Sequence, residues 1–120
     1  WLLPQLEGRV TTSALNVPIQ RGSLLDLSIA FKDADMTVER VNDCIRSAAK
    51  AQPRLIKVSE DPIVSSDVIG QSCTLLFDAP GTIKAGKRIL KLLAWYENLG
   101  HAARLLDVAK LYAQLERYQP

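Results

Sequence analysis

From Ile89 to Tyr96 the chain is apolar on both alternating faces. Ile89, Leu93 and Trp95 fall on one side, with Lys91 as the exception, and Leu90, Leu92, Ala94 and Tyr96 fall on the other. A strand apolar on both faces is a central strand, covered from both sides. A turn at Glu97–Gly100 follows, and then the period changes from two to about 3.6 residues. Ala102, Leu105, Val108, Ala109, Tyr112 and Leu115 take one side of the predicted helix, and Asp107, Lys110, Gln114 and Arg117 the other.

The same patterning predicts the rest of the elements. Trp1–Leu6 is an apolar lead-in broken by Pro4, and Glu7-Gly8 is a turn. Arg9–Val17, rich in Val and Thr, predicts a strand stopped by Pro18. In Ser23–Phe31, Leu25, Leu27, Ile29 and Phe31 alternate with a mixed face, so this strand is expected to pair antiparallel with Arg9–Val17. Thr37 is the expected N-cap of a helix carrying Val38, Val41, Ile45, Ala48 and Ala49, with Glu39 near its positive end; Pro53 ends it near Lys50 or Ala51. Short strands are expected at Arg54–Val58, Gln71–Ala79 and Thr82–Ala85. A helical turn is expected at Ile63–Asp67, and Pro80-Gly81 is a turn signal. Strands outnumber helices and run in succession, which predicts an α+β fold: an antiparallel-rich mixed sheet with helices packed on one face.

The 120 residues suffice for a single domain, 1–120, with a real core. A net charge of +2, with acids and bases interspersed, gives no basic stripe for nucleic acid, and no apolar run is long enough to span a membrane. No charged and then apolar leader is present. Cys44 and Cys73, without a Cys-x-x-Cys or Cys/His cluster, imply no metal site and a reducing, cytoplasmic setting. The chain opens on Trp, so a segment upstream is expected to have been removed or left out.

Several blocks resemble phosphorylating glyceraldehyde-3-phosphate dehydrogenases. Trp95-Tyr96-Glu97-Asn98, Gly100, Arg104 and Leu106-Asp107 are similar to that family's Trp-Tyr-Asp-Asn-Glu-Phe-Gly-Tyr-Ser-Asn-Arg segment. Leu3–Arg9, Val17-Pro18, Ser23–Leu27, Thr37–Asn42, Glu60–Asp67 and Phe77–Ala79 also match family blocks, in order and at nearly the family spacing. The resemblance implies the later part of the C-terminal catalytic domain. Family members place a nicotinamide-binding Rossmann domain before it, with a nucleophilic Cys in Ser-Cys-Thr-Thr-Asn-Cys and a His base. None of these motifs is in this chain, so the resemblance assigns it no catalytic residue. NAD or NADP is implied for an intact member, with a nucleotide-binding domain as partner. The family's tetrameric habit implies a homo-oligomer.

The resemblance also assigns binding residues. Asn98 matches the Asn that touches the nicotinamide amide, although the family's Glu-Phe-Gly-Tyr is one residue longer than Leu99-Gly100-His101. The alternative role for Asn98 is a turn-stabilising side chain. The Arg that grips substrate phosphate, directly before Val-Pro, is Asn16 here. Arg21 is the nearby guanidinium suited to an anion, or else a solvent-facing loop charge. Cys73 with His101 is no more than a juxtaposition of types. Ser65 and Ser66 are expected to bond local backbone, and Lys84, Lys87, Arg88 and Lys91 to form a solvated hairpin tip or an anion or partner site. Two functions follow: a piece of an NAD(P)-dependent dehydrogenase acting on a phosphorylated aldehyde, inactive by itself, or a decayed packing or oligomer-forming module of the same fold.

Overall fold

A computed structural model describes residues 3–116. Trp1 and Leu2 of the lead-in, and Arg117 on the expected polar side of the last helix, lie outside the described residues. The elements are β1 (Ser23–Ala30), α1 (Val38–Ala51), β2 (Ile56–Ser59), β3 (Leu75–Ala85), β4 (Ile89–Tyr96) and α2 (Asn98–Glu116), with 3-10 turns at Pro4–Leu6 and Ser65–Val68. The strands form one mixed sheet in the order β1-β4-β3-β2. Both β4 ladders are antiparallel and the β2–β3 ladder is parallel. The α+β class and the antiparallel-rich sheet are as the sequence predicts.

β4 is central, as its two apolar faces require. On one face Leu90, Leu92 and Ala94 are buried with Phe77, Ala79 and Val41 of α1. On the other, Trp95 packs against Val68, Cys73 and Leu76. α1 starts where expected: the Thr37 hydroxyl accepts the Arg40 N–H at 3.2 Å. It ends at Ala51, just ahead of Pro53. Its one buried polar residue, Asn42, donates to the Ala79 carbonyl at 3.1 Å and accepts from the Thr82 hydroxyl at 2.8 Å. That ties α1 to β3.

Four expectations change. Arg9–Val17 is irregular and exposed rather than a strand, and β1 pairs with β4 instead. Propensity alone does not make a strand; the β4 ladder wins because it sets Leu25, Leu27 and Ile29 opposite Ala94, Leu92 and Leu90. Gln71–Ala79 and Thr82–Ala85 are not separate strands but one, beginning at Leu75. The Pro80-Gly81 signal becomes a register shift between Asp78 and Ile83, where the Gly81 N–H bonds the Asp78 carboxylate at 3.0 Å. Cys73 therefore precedes the strand and lies on the opposite face from Phe77.

The fourth change concerns α2. The helix forms, but its expected packing side is not covered. Leu105, Val108, Tyr112 and Leu115 are at least half exposed, as are Leu106 and Leu111 elsewhere around the helix. α2 is held through its first half. Gly100 lies against the Cys73 carbonyl, Arg104 donates to the Arg54 carbonyl, and Asp107 pairs with both Arg54 and Arg104.

Candidate functional site

The expected binding residues converge on one groove. Its walls are the segment preceding β1, the β1 and β4 strands, Val64 and Ser65, and the start of α2. Asn16, Arg21 and Asn98, the last of which is 82 positions beyond Asn16 in the sequence, all line it. Gly22 makes the approach tight at one end. It adopts φ 89°, a left-handed conformation costly for other residues, and packs against the Ser65 backbone. The groove is open and has a volume of about 1530 Å³. Closed sites for small ligands run to about 300–1,000 Å³. The space is therefore wider and more open than a closed small-ligand site.

Its electrostatics are set by four charged side chains. Lys91 and Asp26 pair across the β1–β4 ladder at 2.8 Å and neutralise each other. The Glu97 carboxylate accepts the Gly70 N–H at 3.0 Å, which fixes the turn that leads into α2. Arg21 is exposed and, among the described residues, has no carboxylate paired with it. The four formal charges of the groove sum to zero, and Arg21 keeps a guanidinium without a paired carboxylate, of the type suited to an anion. Asn98 is also exposed, at the first position of α2, and among the described residues its amide makes no side-chain hydrogen bond. Both its donor and its acceptor remain available to an amide-bearing ligand.

Other candidates do not assemble. Cys73 is buried and His101 exposed, with no hydrogen bond between them. In the 3-10 turn it is Asp67, not Ser65 or Ser66, that bonds local backbone, accepting the Val64 N–H at 2.8 Å. In the basic cluster, Lys84 is committed to the Met36 carbonyl and Lys91 to Asp26. Among the described residues no group of three His, Cys, Asp or Glu side chains is placed to hold a metal. No described helix is long and apolar enough to cross a membrane. Shifted pKa values lie around α1. Asp33 is lowered by the Asp35 N–H and Arg40, Glu39 by backbone hydrogen bonding and then Thr37, and Glu60 by the two-point Arg46 pair at 2.8 Å.

Sequence reasoning did not single out the Asp26–Lys91 pair or Trp95 as groove residues. The signal was there: each strand interrupts an apolar run with one charge, and the antiparallel register brings the two charges together diagonally. The Trp95 Nε1 atom is buried without a partner in the groove wall.

Comparison with known sequences gives the same direction along most of the chain. The model of the glyceraldehyde 3-phosphate dehydrogenase C-terminal domain matches residues 1–98. Glyceraldehyde-3-phosphate dehydrogenase of Borreliella burgdorferi is 35% identical over 113 residues, covering 91% of this chain and 33% of its own length. Glyceraldehyde-3-phosphate dehydrogenase 1 of Streptomyces avermitilis is 38% identical over 112 residues, with 92% and 33% covered. The enzyme of the same name from Candida glabrata is 33% identical over 115 residues, with 94% and 34% covered. The chain spans about a third of the length of the curated relatives it matches. With a sheet, a first helix and a groove assembled from blocks that run in family order, this chain belongs to the glyceraldehyde-3-phosphate dehydrogenase family, within its C-terminal domain.

Proposed function

We propose that the chain is the later part of the catalytic domain of an NAD(P)-dependent oxidoreductase that oxidises a phosphorylated aldehyde, and that it is inactive by itself. The observation that carries this is the meeting of Asn98 and Arg21 in one open groove within the family-matched stretch. The dinucleotide, when bound to an intact member, accepts the hydride. This chain's part is to bind and orient. The free Asn98 amide suits the nicotinamide carboxamide, and Arg21 offers a weak hold on phosphate in place of the family's Arg, which is Asn16 here. The thiolate and the base, and cover for the open groove, would come from a nucleotide-binding domain and the early catalytic domain. The two free cysteines favour a reducing cytoplasmic setting. The exposed apolar residues of β1 and α2 favour a homo-oligomer or a covering partner.

A second reading rests on Asn16. A carboxamide cannot replace a guanidinium that grips phosphate in two places, so the fold would persist as a packing or oligomer-forming module without turnover. The intact mass of the protein made from its native locus, followed by a dehydrogenase assay, separates the two. A mass of about 35–40 kDa, which an added domain brings, together with NAD(P)-dependent oxidation of glyceraldehyde 3-phosphate supports the enzyme. A mass of 13.3 kDa without activity supports the module.

A further inference from the structure

Asn98 enters the groove on a turn that is gripped from outside the groove. The gripping segment runs from Val68 to Cys73, between the second 3-10 turn and β3. Ile69 has φ −61° and ψ 128°, Gly70 has φ 83°, and the Gln71 N–H donates to the Val68 carbonyl at 3.1 Å. These are the marks of a type II turn, which needs a residue tolerant of positive φ where Gly70 stands. The closing bond uses Val68 and Gln71, so the N–H of the central peptide, at Gly70, is free to donate outward. It donates to the Glu97 carboxylate at 3.0 Å. The segment itself is anchored: Val68 and Cys73 are 1% and 4% exposed and pack with Trp95, in the strand that leads into Glu97.

We infer, resting on the reading of Asn98 as the residue that meets the nicotinamide amide, that Glu97 is a positioning residue through which the Val68–Gln71 turn sets where Asn98 stands. An acidic side chain just ahead of a helix ordinarily stays with the positive end of its own helix. Glu97 crosses to another segment instead. On the other side of Asn98, Gly100 lies against the Cys73 carbonyl of the same segment, with no room for a Cβ. The Glu97 carbonyl accepts the Gly100 N–H at 3.1 Å and closes the turn between the two anchors. Asn98 therefore sits between fixed points while its amide stays free for a ligand. The stretch from Asn98 to Gly100 is one residue shorter than the family segment, so little slack separates the anchors. Gly70 does not line the groove. It acts there only through Glu97. A residue that refuses positive φ at position 70 converts the turn to type I, which turns the central peptide over and takes its N–H away from Glu97.

Placement is tested by NMR on the 120-residue chain. Gly70→Ala should shift the Asn98 side-chain amide resonances, and should no longer do so in a Glu97→Ala background. Gly70→Asn, which tolerates positive φ, and Glu97→Gln, which keeps an acceptor of the same length, should leave them nearly in place. Function is tested in the Borreliella burgdorferi relative carrying this chain in place of its matched third. There Glu97→Ala should raise KM for NAD about fivefold, leave KM for glyceraldehyde 3-phosphate unchanged, and add nothing to Asn98→Ala. Asn98 resonances that ignore Gly70→Ala in an otherwise native spectrum overturn the positioning role. So do effects of Glu97→Ala and Asn98→Ala on KM that add, because Glu97 then acts by another route. An unchanged KM for NAD in Asn98→Ala strikes the reading of Asn98 instead, and the resonances alone then decide whether the turn places it.

Discussion

Gly100 lies directly against the carbonyl oxygen of Cys73: a Cβ at position 100 would overlap that oxygen. The contact joins the first turn of α2 to the segment before β3. In an open helix, Gly→Ala stabilises by roughly 0.5–1 kcal/mol. Here the sign reverses. Gly100→Ala should destabilise by about 1–3 kcal/mol through overpacking against backbone that cannot yield, measured by urea unfolding. Stabilisation by this substitution would mean that α2 does not sit there.

Asn42 holds α1 to β3 by satisfying two groups at once. Asn42→Ala should cost about 2–4 kcal/mol, since the Ala79 carbonyl loses its partner and a buried side chain is removed. Thr82→Val removes a single bond and should cost about 1 kcal/mol. A double-mutant cycle should show coupling between the two, because both bonds run through one amide.

Glu60 is held below the ordinary carboxylate range by Arg46. A carboxylate with a depressed folded pKa adds stability above its unfolded value, and that stability disappears as pH falls through the folded one. Thermal stability should therefore decline on acidification below roughly pH 4.3, the ordinary glutamate value. Glu60→Gln should lower the melting temperature near neutrality and have no effect once the carboxylate is protonated. The pair is exposed, so the shift should be small. Equal effects at both ends of the range would assign the loss to packing instead.

β4 and α1 are legible in the sequence because their signals are local: apolarity on both faces, a Thr37 cap and a Pro53 stop. Arg9–Val17 carries only a compositional signal, its Val and Thr content, and a strand also needs a neighbour with a matching row, which β4 supplies to β1. Pro80-Gly81 has turn chemistry, and the structure spends it on a kink within β3 rather than a reversal. The meeting of Asn16, Arg21 and Asn98 depends on contacts across most of the chain. No spacing rule shows it; only the family resemblance pointed to those positions.

The exposed leucines Leu106 and Leu111 of α2 contribute little to this chain's own core. Leu106→Gln and Leu111→Gln should leave unfolding free energy within about 0.5 kcal/mol of the parent and should reduce aggregation in light scattering. A large loss of stability would place these side chains in contacts that the fold described above lacks.

The central claim is that the groove is part of a dehydrogenase site weakened at Asn16. The most direct measurement replaces the matched third of the Borreliella burgdorferi relative with this chain and follows NAD-dependent oxidation of glyceraldehyde 3-phosphate. The account predicts a folded chimera of low activity, raised at least about tenfold by Asn16→Arg through a restored phosphate contact. Asn98→Ala should lower the activity again. A folded chimera that stays inactive both with Asn16 and with Asn16→Arg would contradict the account and leave the chain as a packing module.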